Sequence, residues 1–64
     1  MKTGVVKFFN NFKGFGFITV DGTGEEVYVS QAGLVDQIND GDKVSFNVEQ
    51  GRKGTNAINV KKND

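Results

Sequence analysis

The chain has 64 residues, with no cysteine, histidine or proline, and its eight basic residues are balanced by eight acidic ones. That length makes one domain with a thin core, spanning residues 1–64, and the missing residue types exclude disulfides, the common zinc sites and a Cys or His nucleophile–base pair. No run of 18 apolar residues occurs and no signal-peptide pattern follows Lys2, so a soluble cytoplasmic protein is expected.

The nine glycines punctuate short segments rich in Val, Phe, Ile and Thr, the pattern of an all-β chain. The first predicted strand, 3–10, holds two apolar doublets, Val5-Val6 and Phe8-Phe9. Strict alternation cannot put both members of a doublet inside, so a bulge near its middle is expected. The second strand, 14–20, sets Phe15, Phe17 and Thr19 on one face and Gly16, Ile18 and Val20 on the other. Gly16, on the inner side, allows a sharp bend. A tight turn, "DGTG" at 21–24, leads to the third strand, 25–30, where Val27 and Val29 oppose Glu26, Tyr28 and Ser30. The connection 31–41, "QAGLVDQINDG", is long and acidic; Leu34 and Ile38 are placed to plug a barrel end, and a helical turn fits there. The fourth strand, 42–49, alternates cleanly through Val44, Phe46 and Val48. The fifth, 55–62, offers Ile58 and Val60. Five short strands with one long connection between the third and fourth suit a small closed barrel, which removes the exposed edges of a flat sheet.

Capacity then sorts the aromatics. Val6, Ile18, Val27, Val29, Leu34, Val44, Phe46, Val48, Ile58 and Val60 already fill one small interior. Phe8, Phe15, Phe17 and Tyr28 are left for the outer wall, as a patch large for so small a chain. Such rings serve as extra core, as a protein or dimer interface, or as a platform for a ligand with flat apolar faces. Charge favours the last. Residues 1–20 hold Lys2, Lys7 and Lys13 without an acid; 21–49 hold seven acids against Lys43; 50–64 hold Arg52, Lys53, Lys61 and Lys62 against Asp64. Lys7, Lys13 and, with the fifth strand beside the first, Lys53 rim the rings, as a strand of phosphates with stackable bases requires.

Other chemistry is poorly supported. "GFGFIT" puts Thr19 where a dinucleotide fingerprint needs its third glycine, and a strand continues where a helix should begin. "DQINDGD" puts Ile38 where a calcium loop needs an oxygen. Glu25 and Glu26 are neighbours on a strand and point to opposite faces, so they cannot share a substrate. No catalytic constellation results, and no cofactor or metal is expected.

"KFFNNFKGFGFIT" followed by "VYVS" resembles the bacterial cold-shock proteins, with their "KGFGFI" and "VFVH"-like motifs, and the similarity extends through "GVVKFFN", "GDKVSFNVEQGRKG" and "NAINV". The resemblance implies a small five-stranded antiparallel OB-fold barrel that binds single-stranded RNA and DNA by stacking bases on outer aromatics. It implies low sequence specificity and a chaperone role in transcription or translation; a monomer is expected, with a dimer left open. By position it implies a binding surface of Lys7, Phe8, Asn10, Lys13, Phe15, Phe17, Tyr28 and Ser30, with Phe9 at its margin, Gln31 beside Ser30, and Lys53 in a basic loop. Phe8 stands where the family typically has tryptophan, Ser30 where it has histidine and Gln31 where it has phenylalanine. The connection 31–41 is shorter and lacks the family's aromatic, whereas Phe12 replaces a residue that is usually polar. Each lost platform removes about 1 to 3 kcal/mol of stacking, so a site covering fewer nucleotides is expected.

Overall fold

The computed structural model describes residues 1–51 and 54–63. Five strands, β1 (Lys2–Asn10), β2 (Phe15–Val20), β3 (Glu26–Ser30), β4 (Lys43–Gly51) and β5 (Gly54–Lys62), close into a barrel in the order β1-β2-β3-β5-β4. The pairs β1–β2, β2–β3, β1–β4 and β4–β5 are antiparallel. The pair β3–β5 alone is parallel, within the small five-stranded OB-fold barrel that was expected. The long connection carries the chain from β3 past β5 to β4, so β5 returns into the gap beside β3 in the same direction. β5 consequently lies between β3 and β4 and not beside β1 as the sequence reading supposed.

The bulge in β1 falls at Lys7. Val6 pairs with Ile18 and Phe8 with Phe17, so two steps along β1 match one along β2. Both doublets are thereby resolved: Val6 and Phe9 turn inward while Phe8 turns outward. Phe9 faces Gly16, and here a glycine is required. A Cβ on Gly16 would lie 2.2 Å from the Phe8 carbonyl oxygen and 2.8 Å from the Phe9 Cα. The role of Gly16 is therefore close approach of two backbones rather than a bend.

A second bulge, in β5, shifts its inward residues. Ser45 pairs with Lys61 but Asn47 with Ile58, and Asn59 between them has φ 52°, a left-handed conformation that Asn tolerates better than most residues. Ala57 and Val60 are buried in consequence, and Ile58, expected in the core, is only half-buried. The interior is otherwise apolar and close to expectation: Val6, Ile18, Val27, Val29, Val44, Phe46 and Val60, joined by Phe9, Val20 and Ile38, with Leu34 and Val48 packed at its margin.

The connection after β3 opens with a single 3-10 turn, Gln31–Gly33, capped by Ser30, whose Oγ accepts from the Ala32 N–H at 3.2 Å. It then runs along β5, with the N–H groups of Val35 and Asp36 donating to the Val60 carbonyl at 2.8 and 3.2 Å. Ile38 is fully buried and closes the barrel end, as its placement predicted. The final turn docks on β1: Gly41 N–H donates to the Val6 carbonyl and Val6 N–H to the Asp42 carbonyl, both at 2.8 Å.

Candidate functional site

Strand register sets the outer surface. Phe8 pairs with Phe17 and Phe17 with Tyr28, so three rings from β1, β2 and β3 form one transverse row. Paired residues share a face, and the spacing between neighbouring strands brings their side chains into contact. A second, shorter row, Asn10–Phe15–Ser30, adds the fourth ring. Ring centroids are 5.6 Å apart for Phe8–Phe17, 5.9 Å for Phe17–Tyr28, 6.0 Å for Phe15–Tyr28 and 6.3 Å for Phe8–Phe15. Phe15 and Tyr28 are stacked with 19° between their planes; the other contacts are tilted or edge-on. Each ring thus touches two of the others, and all four stay partly exposed. Phe8 is 37% exposed and Tyr28 38%, while Phe15 and Phe17 are half-buried.

Phe9 does not join them. It is 8% exposed and packs in the core, so its expected place at the margin of the outer surface is corrected: the bulge at Lys7 sends the first phenylalanine of the doublet out and the second in.

The polar residues fall into two groups. Asn10 and Ser30 flank Phe15, but their oxygens are already engaged. Asn10 Oδ1 accepts from the N–H groups of Phe12 and Lys13, at 2.9 and 3.0 Å, and holds the β1–β2 turn, while Ser30 Oγ caps the 3-10 turn. Lys13 is exposed on that turn, and Phe12 beside it is fully exposed. Gln31 reaches across to Gly14, whose ideal Cβ would sit 2.9 Å from Gln31 Oε1; with φ 73° this position suits glycine twice over.

Lys7, freed by the bulge, extends over the outer face of β2 toward β3, where its Nζ donates to Glu26 Oε2 at 2.8 Å. This ion pair places a carboxylate next to the ring row. Lys53 lies outside the described residues. Of the basic residues of the C-terminal segment, the two among the described residues lie away from the rings: Lys61 shares a row with Ser45 and Thr3 at the far end of β1, and Lys62 Nζ stands 3.9 Å from Asp42.

Four residues that the sequence reading did not single out bear on this surface. Glu26 holds Lys7, and Asp40 holds the bulge through the Phe9 N–H. Asn56 and Glu49 extend the ring row onto β5 and β4, since Tyr28 pairs with Asn56 and Asn56 with Glu49. In the sequence these were turn or surface polar residues, and only Glu26 carried a signal, its place two residues before Tyr28 on one strand face.

Comparison with known proteins follows the same lines. The family model described as 'Cold-shock' DNA-binding domain matches residues 2–63. The chain is 50% identical over 62 residues to "Cold shock-like protein CspG" of Shewanella violacea, covering 91% of this chain and 89% of that protein. It is 46% identical over 65 residues to "Cold shock-like protein CspA" of Stigmatella aurantiaca, covering 95% and 96%. With "Cold shock-like protein CspD" of Bacillus cereus it shares 45% over 67 residues, covering 98% and 100%.

Proposed function

Because the chain belongs to the cold-shock domain family, we propose that its outer ring row binds single-stranded nucleic acid, RNA or DNA, by stacking unpaired bases. The observation that carries this reading is the contact of Phe8, Phe15, Phe17 and Tyr28 on the outside of three adjacent strands, with an independent apolar core beneath. A side chain worth about 1.5 to 3 kcal/mol when buried is left half in water four times over in a 64-residue chain. A partner with flat faces recovers that free energy.

Stacking is tolerant of sequence because every base has a π face, so broad binding is the expectation, with each ring contributing about 1 to 3 kcal/mol per base. Lys7 and Lys13 track phosphate in this reading, together with Lys53 of the basic loop. Asn10, Ser30 and Gln31 supply hydrogen bonds at the end of the shorter row, through the Asn10 amide N–H, the Ser30 hydroxyl proton and the Gln31 amide. A protein of this kind keeps RNA unpaired, a chaperone role in transcription or translation. Paired bases hide their faces, so duplex binds far more weakly.

The test is titration of the protein with heptathymidine at two salt concentrations, followed by Tyr28 emission and amide shifts. With three lysines on phosphate, log affinity falls with log salt at a slope of about −2. Absence of any response at millimolar oligonucleotide rejects the reading. A surface built instead for a protein partner or a second copy of the chain is mostly apolar and nearly indifferent to salt, and would show self-association or no response to the oligonucleotide.

A further inference from the structure

We propose that Glu49, with Asn56 beside it, makes this surface prefer guanine at the nucleotide that follows Tyr28 along the row. The inference rests on the single-strand reading above and adds specificity to it.

The register carries it. Phe8, Phe17, Tyr28, Asn56 and Glu49 form one unbroken transverse line across all five strands, three rings followed by an amide and a carboxylate. Beyond Tyr28 the wall sinks into an open cavity of about 200 Å3, bordered by Tyr28, Ser30, Glu49, Asn56 and Ile58. Adjacent strands stand about 4.8 Å apart, so about 10 Å separates Tyr28 from Glu49, room for one base between them. The Asn56 amide lies close over Gly51, where a Cβ would come within 2.2 Å of its Nδ2. The Asn56 side chain thus leans toward the Gly51 end of β4, while Asn56 and Glu49 both border the cavity.

The chemistry of Glu49 selects the base. A carboxylate accepts at two oxygens and donates nothing. It repels phosphate, so on single-stranded DNA, which has no 2′-hydroxyl, it is favourable only against base donors. Guanine alone presents two adjacent donors on its pairing edge, N1–H and the N2 amine. Adenine and cytosine present one amine next to an acceptor, and thymine presents a single N–H between two carbonyl oxygens. A base that leaves the Tyr28 ring, lies over Asn56 and meets Glu49 edge-on is therefore held by two charge-assisted hydrogen bonds only when it is guanine.

The test uses heptathymidine and the same heptamer with its central base replaced by guanine, adenine or hypoxanthine, titrated against the wild-type chain and Glu49→Gln. A bidentate base contact predicts about tenfold tighter binding for guanine than for thymine. Adenine, which stacks as well but lacks the paired donors, gains no more than about threefold, and hypoxanthine, without the N2 amine, falls between. In Glu49→Gln, with the fold checked by circular dichroism, guanine drops to within about threefold of adenine. Guanine no tighter than adenine, or a preference that survives Glu49→Gln, overturns the proposal while leaving single-strand binding intact. If none of the heptamers binds, the single-strand reading fails and this inference fails with it.

Discussion

The Asp40 carboxylate accepts a hydrogen bond from the Phe9 N–H at 2.8 Å, across 31 residues of sequence. The bulge at Lys7 takes this part of β1 off its regular ladder, and the turn before β4 brings Asp40 to satisfy the amide. One contact thus connects the acidic connection to the choice of which phenylalanine faces outward. Asp40→Ala is expected to destabilise the chain by about 2 kcal/mol, the range for a hydrogen bond with a charged partner whose donor is left half-buried. It should also weaken oligonucleotide binding, because Phe8 loses the backbone geometry that presents it. Urea unfolding and heptathymidine titration measure the two effects; unchanged stability would show that the bulge does not depend on Asp40.

Gly16→Ala tests the packing of β1 on β2. The added methyl meets the Phe8 carbonyl oxygen and the Phe9 backbone, which cannot move aside as a flexible side chain could. The expected loss is about 3 kcal/mol, at the upper end for overpacking. In so small a domain that is a large share of total stability. A variant with wild-type melting behaviour would refute the close approach.

Phe17 sits at the centre of the ring cluster, in contact with Phe8 and Tyr28. Phe17→Ala should weaken binding of heptathymidine by about five- to 150-fold, equivalent to about 1 to 3 kcal/mol of stacking. Its cost in stability is about 1 kcal/mol, the scale of lost aromatic pair contacts at a half-buried site. The comparison of melting curve and titration separates the roles. A collapse of the fold without a selective binding defect would mean that the ring belongs to the core.

Glu26→Gln addresses the electrostatics. The Lys7–Glu26 pair is exposed, so its removal should change stability by no more than about 0.5 kcal/mol. Lys7 then reaches phosphate without first giving up Glu26, so binding at low salt should strengthen several-fold while the salt slope stays at about −2, the value for three phosphate contacts. The measurement is affinity at three or more salt concentrations. Affinity unchanged at low salt would remove Lys7 from the phosphate path.

Much of this surface was legible in the sequence because strand alternation is a local rule. Phe15, Phe17 and Tyr28 lie on the face opposite Ile18, Val27 and Val29, and once the small interior is filled they have no place but outside. The same rule failed where the chain departs from a two-residue repeat. Phe8 and Phe9 could not be told apart by parity, and Ile58 was assigned inward because nothing in "NAINV" announces the left-handed turn at Asn59. Polar residues hid for a different reason. A carboxylate on a strand or turn reads as solvated until its neighbours across the sheet are known, so the links of Glu26, Asp40 and Glu49 to the ring surface stayed hidden.

The sequence by itself determined the number of strands, the inward and outward faces of β2, β3 and β4 and the presence of more aromatic surface than the core can hold. These follow from chain length and side-chain periodicity, which need no knowledge of distant residues. Tertiary structure alone decided the parallel seating of β5 between β3 and β4, the inward turn of Phe9, the pairing of Lys7 with Glu26 and the continuation of the ring row into Asn56 and Glu49. Each of these depends on register between strands that are far apart along the chain, and register is fixed only when the barrel closes.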